Sequence, residues 1–311
     1  MQQAFVFPGQ GSQAVGMGKA LAEASEAARE VFGEVDEALS QNLTRLMFEG
    51  PGEDLTLTEN AQPALMAVSL AVMAVLRRDC HLDLASTARF VAGHSLGEYS
   101  ALAAAGAFSL ADAARLLKTR GQAMQAATPV GVGGMAAILG LDYDPVAAIV
   151  AKAAGDEVCA AANDNAPGQV VVSGHKAAVE RAAALATEEG ARRAVMLPVS
   201  APFHCALMAP AADVMAKALA EATVQAPVVP LVANVKAEAV TDPDEIRALL
   251  VAQVTGTVRW RESVAWMKAR GVERLVEVGA GKVLSGLAKR IDPDLQGIAL
   301  NTPDDIEAFL K

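Results

Sequence analysis

Gly93-His94-Ser95-Leu96-Gly97 matches G-x-S-x-G, a strand-to-helix turn that lifts a serine hydroxyl clear of the backbone. An apolar run from Arg89 to Ala92 predicts the strand before it, and a helical pattern follows. The glycines suit a strained, closely packed turn, and a helix N-terminus offers unpaired amides to a developing oxyanion. The same pattern also fits an ordinary βα turn whose serine caps a helix. A nucleophilic serine needs a base, and the chain has four histidines. His94 adjoins Ser95 at a tight turn where neighbouring side chains diverge, so it suits elbow support or substrate contact. His81 and His175 stand in polar surroundings typical of surface positions. His204, in Phe203-His-Cys-Ala-Leu-Met208, follows a predicted strand and opens a predicted helix at a predicted domain boundary, where clefts form. It reads as the base or as a buried structural histidine. The chain order, serine then histidine with no outstanding acid between, favours a dyad over a triad.

Two further segments bear on chemistry. Pro8-Gly-Gln-Gly-Ser-Gln13 fits neither G-x-G-x-x-G nor GxxxxGK[ST], and the backbone amide near Gln10 suits a second oxyanion donor better than a phosphate loop does. Arg120 shares a helical stripe with Ala113, Leu116, Leu117 and Met124. A guanidinium on an apolar stripe requires an anion, meets an unseen carboxylate, or snorkels to solvent.

The elements that must position these residues alternate in the first part of the chain. A strand at Ala4 to Phe7, a helical pattern from Met17 to Leu39, a helix from about Gln62 to Arg78, the strand before Ser95 and a helix from Leu110 to Ala127 predict a parallel sheet covered on both faces. After Pro129 and the Gly131 to Gly134 cluster the order becomes βαββαβ. Its strands are Met135 to Leu141, Val158 to Ala162, Gln169 to Ser173 and Arg193 to Val199, and its helices Asp144 to Ala154 and Lys176 to Glu189. Asn163 to Gly168 reads as a loop, and the whole as an inserted ferredoxin-like subdomain. The alternating style then resumes with a strand near Val229 to Val232, helices at Pro243 to Val254 and Val258 to Ala269, the strand Leu275 to Val278 and a last helix. The expected architecture is α/β, a large α/β-hydrolase-like domain from residues 1–128 and 201–311 with the ferredoxin-like insertion at 129–200.

Composition removes several function classes. The net charge of −10 opposes nucleic-acid and anionic-membrane binding, and 4% aromatics leaves little for base stacking. Cys80, Cys159 and Cys205 form no CxxC, which points to a reducing, cytoplasmic compartment with no metal. The Ala64 to Leu76 run is shorter than the roughly 20 residues of a membrane span and reads as a buried helix. The first residues have no signal-peptide character.

Taken together, residues 7–13, 93–100 and 165–174, Arg120-Gly-Gln-Ala-Met124, Phe203 to Met208 and Val278 to Leu284 resemble the malonyl-CoA:acyl carrier protein transacylase family of fatty acid synthesis. They resemble the acyltransferase domains of polyketide synthases more distantly. The resemblance spans nearly the whole chain. It implies Ser95 as acylated nucleophile, His204 as base, the amides of Gln10 and Leu96 as oxyanion hole, and the Gln253 carbonyl as the group orienting His204. It sets Arg120 against a malonyl carboxylate, with Met124, His94 and Phe203 also at the substrate, and Phe203 matches malonyl-selective relatives. Lys289 and Arg290 match a carrier-docking position, with Lys282 nearby.

The resemblance also implies malonyl-CoA and acyl carrier protein as partners, no cofactor and a monomer. Ala280 and Thr257 stand where the family commonly has proline. A serine hydrolase or thioesterase, and a carrier-binding scaffold with a decayed site, are the rival readings. The first would pass the acyl group to water, the second would form no acyl-enzyme. With an ordinary histidine pKa, activity is expected to fall below about pH 6.5.

Overall fold

The computed structural model describes residues 1–199 and 201–311. Its strands are β1 (Gln3–Phe7), β2 (Phe90–Gly93), β3 (Gly133–Leu139), β4 (Cys159–Ala166), β5 (Gln169–His175), β6 (Arg193–Met196), β7 (Leu231–Val232), β8 (Ala239–Val240), β9 (Arg274–Val278) and β10 (Gln296–Leu300). Six of them form one sheet in the order β10-β9-β1-β2-β7-β8. Every neighbouring pair is parallel except β7 and β8, which pair antiparallel, so the sheet is mixed where a purely parallel one was expected. The other four form an antiparallel sheet in the order β4-β5-β3-β6.

Alternation along β1 explains why the large sheet is buried on both faces. Phe5 and Phe7 enter a core with helix Thr58–Arg78, whereas Ala4 and Val6 enter a second core built on Trp260 and Met267. Helix Thr58–Arg78 is apolar nearly all round, as a helix packed on every side must be. It has the length and hydropathy of a membrane span, yet 89% of its most apolar window is buried within the protein. In the small sheet Ile138, Val170 and Val172 pack on helices Tyr143–Ala154 and Lys176–Glu188. Its other face presents Met135 and Val171 to a cluster that includes Leu197 and Phe203.

Several expectations are corrected. The helical pattern from Met17 to Leu39 is two helices, Lys19–Ala24 and Glu26–Leu39, because Ser25 leaves helical geometry and its hydroxyl caps the Ala28 amide. The segment from Asn163, expected as a loop, continues β4 to Ala166 through two register irregularities, so the turn shrinks to Pro167 and Gly168. Val283–Ile291 is not the last element, since β10 and helix Pro303–Leu310 follow it. Helices Leu43–Glu49 and Gly52–Thr56 were not anticipated, and the helix expected to open at His204 begins five residues later, as Ala209–Glu221. Ser200, the last residue of the expected insertion, lies outside the described residues.

Because β1 and β2 are parallel neighbours, the loops that leave their carboxyl ends meet. A side chain on Gly97 would lie 2.2 Å from the Phe7 carbonyl oxygen, and one on Gly9 would lie 2.8 Å from that of His94. Gly97→Ala is therefore expected to lower unfolding free energy by about 3 kcal/mol or more, since only backbone can yield. Gly33→Ala, in a helix with open space around it, should raise it by about 0.5–1 kcal/mol. Urea unfolding midpoints of the two variants check the contrast.

Candidate active site

β2 ends at Gly93, and helix Gly97–Ala104 begins after only three intervening residues. So sharp a turn forces Ser95 into left-handed backbone at φ 53°, a conformation that costs a non-glycine residue roughly 1 kcal/mol or more. Neighbouring groups hold it there. Asn234 accepts from the Ser95 amide at 2.8 Å and donates from its side chain to the Gly93 carbonyl at 2.6 Å. A side chain on Gly93 would overlap the Gly97 carbonyl at 1.9 Å.

His204 is also left-handed, at φ 58°, and its ring meets Ser95 with Nε2 2.8 Å from Oγ. Nδ1 lies 2.9 Å from the main-chain oxygen of Gln253. A carbonyl can only accept, so Nδ1 carries the proton and Nε2 is left free to accept from the serine hydroxyl. Burial, and then the positive charge of Arg120, push the imidazole pKa down to about 3. The ring is therefore an uncharged acceptor at neutral pH.

Arg120 projects from helix Leu110–Ala126 and is 1% exposed. Nη1 donates to Gln62 Oε1 at 2.8 Å, while Nη2 donates to Gln253 Oε1 at 2.8 Å and to Ser95 Oγ at 3.1 Å. Its face lies toward the Tyr99 ring, 5.8 Å from the centroid. Among the described residues it forms no ion pair, and its Nε has no partner. Glu98 supplies the nearby negative charge through space. That carboxyl is itself buried and pushed up to about 7 by desolvation, against the opposing pull of Gln253, Asn234 and Arg120.

A cavity of about 490 Å³ opens on Ser95, His204 and Arg120. Gln10 and Leu96 border it, and their main-chain amides donate to no protein atom among the described residues. Met124, fully buried, and the half-buried Phe203 add apolar wall. The small sheet closes the opposite side with Met135, Val171, Asn163 and Asn165. His94 Nε2 lies 2.8 Å from Asn165 Oδ1, and burial depresses the pKa of that imidazole too. Such an arrangement offers a hydroxyl with a neutral acceptor, two free amides and a buried cation within one cavity. It suits attack on an acyl carbon whose acyl group ends in an anion.

The chain matches the family model described as acyl transferase domain over residues 4–290. It is 49% identical to the malonyl CoA-acyl carrier protein transacylase of Escherichia coli (strain K12) over 310 residues, 100% of this chain and 99% of that one. The chain belongs to the malonyl CoA-acyl carrier protein transacylase family. It is an acyltransferase. A crystal structure of an acyl-carrier-protein-S-malonyltransferase from Bartonella henselae superposes with TM-score 0.98 and 56% identity, covering 100% of this chain and 98% of that one. A malonyl-transacylase in complex with a type II PKS acyl-carrier protein superposes at 0.96 with 41% identity, covering 100% and 99%.

The structure thus gathers Ser95, His204, Gln10, Leu96, Arg120, Met124, His94 and Phe203 around one cavity, with Gln253 directly behind it. Lys289 and Arg290 stand apart from the cavity, exposed on helix Val283–Ile291, where Arg290 bonds Gln169; Lys282 is exposed at its start. His81 is exposed, while His175 accepts from the Val158 amide and ties β5 to the start of β4. Thr257 donates its hydroxyl to the Ala161 carbonyl at 2.8 Å, a bond proline could not make. Sequence reasoning missed Gln62, Glu98, Asn163 and Asn234. Gln62, just ahead of the apolar run from Pro63 to Val68, carried a usable signal, and Glu98 stood within the 93–100 motif with no role assigned. Asn165 was visible within a motif but had no role assigned.

Because the folded pKa of His204 lies below its unfolded value, the unfolded chain takes up a proton that the folded chain refuses. Stability from this group is whole above about pH 6.5 and is lost as pH falls toward 3. His204→Gln should therefore lose less of its denaturant midpoint between about pH 7 and 5 than the native chain does. An equal loss in both proteins would mean that the imidazole is not held neutral.

Proposed function

We propose that this acyltransferase moves the malonyl group of malonyl-CoA onto the phosphopantetheine thiol of an acyl carrier protein through a malonyl-Ser95 intermediate. The single observation that carries the reading is the buried Arg120, hydrogen-bonded to Ser95 Oγ while paired with no carboxylate among the described residues. A cation in that position awaits the anion of the acyl group.

In the first half-reaction the Ser95 proton passes to His204 Nε2 as Oγ attacks the thioester carbon. The oxyanion forms against the amides of Gln10 and Leu96. Collapse breaks the C–S bond, and the imidazolium, stabilised by the Gln253 carbonyl, returns its proton to the departing CoA sulfur. The carrier thiol then gives its proton to His204 and attacks the malonyl ester; as the C–O bond breaks, His204 returns the proton to Ser95 Oγ and the dyad is restored. Every step is acid–base and acyl chemistry, so no cofactor is called for.

The carrier as acceptor is supported by the relative solved with its carrier. Lys289 and Arg290, with Lys282 nearby, are the proposed carrier-docking cations, and supply to fatty acid synthesis in the cytoplasm by a monomer completes the reading. The two sheets support a division into a hydrolase-like domain, residues 1–128 and 201–311, and a ferredoxin-like insertion over 129–200.

Ser95→Ala should form no malonyl-enzyme by intact mass, and His204→Ala should slow its formation by about 10²-fold or more. The rate should hold well below pH 6.5, the limit implied by an ordinary histidine, because the base stays neutral there. A native yield of malonylated Ser95→Ala would remove the dyad from the mechanism.

Arg120→Ala should cost malonyl transfer about 2–5 kcal/mol in kcat/KM, the scale of breaking a buried charge pair. Acetyl-CoA brings no anion, so the malonyl-to-acetyl ratio should collapse, and Arg120→Lys should restore it only in part. A ratio that stays constant while both activities drop would give Arg120 to the fold instead of the substrate.

A further inference from the structure

Gln253 meets three parts of the site at once, and the orientation of its side-chain amide decides what Arg120 encounters. Its main-chain oxygen accepts from His204, and its Oε1 accepts from Arg120 Nη2. An amide rotated by half a turn would present its NH2 to the guanidinium, donor against donor. What prevents rotation lies on the far side. Nε2 donates to Glu98 Oε2 at 2.7 Å and to the Ser95 carbonyl at 3.0 Å, so it faces acceptors alone. The same Glu98 oxygen accepts from the Asn234 amide at 3.1 Å, and Asn234 in turn holds the backbone of Gly93 and Ser95. Gln62, the other neutral partner of Arg120, has on its far side, among the described residues, only the sulfur of Met124 at 3.7 Å, a weak acceptor. The firm end of the arrangement is therefore Glu98.

We propose that Glu98 is a positioning residue for the anion site: by accepting from Gln253 Nε2 it fixes the Gln253 oxygen toward Arg120, and so holds the guanidinium aimed at the acyl pocket. The inference rests on the reading of Arg120 as the malonyl contact. Glu98, 1% exposed and behind Gln253, touches none of the reacting atoms. The ionisable groups acting on it are Arg120 and its own neighbour Tyr99.

The test loads the intact chain with malonyl-CoA and with acetyl-CoA and compares kcat/KM for the two. Glu98→Ala frees the Gln253 amide and should lower the malonyl-to-acetyl ratio about tenfold, the scale of a hydrogen bond to a charged group. Glu98→Gln keeps an acceptor oxygen and should lower it only about two- to threefold. Neither change should lower the ratio further once Arg120 is alanine, because the two positions act in series. If Glu98→Ala does not fold, the Glu98→Gln pair, with and without Arg120→Ala, is read the same way.

Equal losses for both acyl groups, or effects that multiply fully in the double variant, would make Glu98 a fold residue and overturn the proposal. A ratio shifted by Arg120→Ala but indifferent to Glu98 overturns this proposal alone. A ratio indifferent to Arg120→Ala overturns both readings.

Discussion

A guanidinium buried among neutral oxygens governs the rest of this site. Placing an uncompensated cation in a low-dielectric interior is costly, and Arg120 recovers only part of its lost hydration from Gln62, Gln253 and Ser95. The incomplete compensation has two consequences. It leaves a positive potential at the pocket that favours an anionic acyl group, and it opposes a second positive charge on His204. Arg120 thus adds to the neutral state of an imidazole whose first cause is burial, and the same charge sets the potential of the pocket. A carboxylate in direct contact with Arg120 would quench both, which makes the placement of Glu98 behind an amide physically consequential.

The second constraint is geometric. Two non-glycine residues, Ser95 and His204, both adopt left-handed backbone, and neither conformation persists without surroundings that enforce it. For Ser95 the enforcement is the pressing of the β1 loop on the elbow, at Gly9 and Gly97, together with the Asn234 clamp. For His204 it is the Gln253 carbonyl and the Ser95 hydroxyl on either side of the ring. The parallel pairing of β1 with β2 brings the Gln10 segment and Ser95 to one edge. That is how open α/β sheets form sites at strand carboxyl ends.

Ser95 and His204 were legible because a turn motif marks the first and elimination among four histidines leaves the second. The cation of Arg120 was legible as an anomaly, a charge on an apolar stripe, but its surroundings were not. Asn234 reaches Glu98 across 136 positions and Gln253 reaches it across 155, separations that no local pattern encodes. The βαββαβ order is legible in the sequence and holds in the structure, yet Asn163 to Ala166 reads as a loop because Asn and Asp are depleted in strands. Pairing with β5, interrupted by bulges, overrides that preference. The final strand and helix were missed although Thr302 and Asp305 form a capping box, a signal the sequence did carry.

The bulged strand also explains how the two sheets share a cavity. Asp164, 1% exposed in its side chain, takes Arg261 at 2.8 Å, and its amide donates to the Val258 carbonyl, while the Thr257 hydroxyl reaches Ala161. These bonds fasten β4 to the segment that follows helix Pro243–Thr255, whose last turns contain Gln253. The flanking residues Asn163 and Asn165 face the cavity from the same strand. Successive side chains of a strand alternate between its two faces. That alternation turns Asn163 and Asn165 to the cavity and Asp164 away from it, so one acid anchors the small sheet while its polar neighbours line the pocket. The wall opposite Arg120 is thereby tied to the segment that follows Gln253, which bonds both Arg120 and His204.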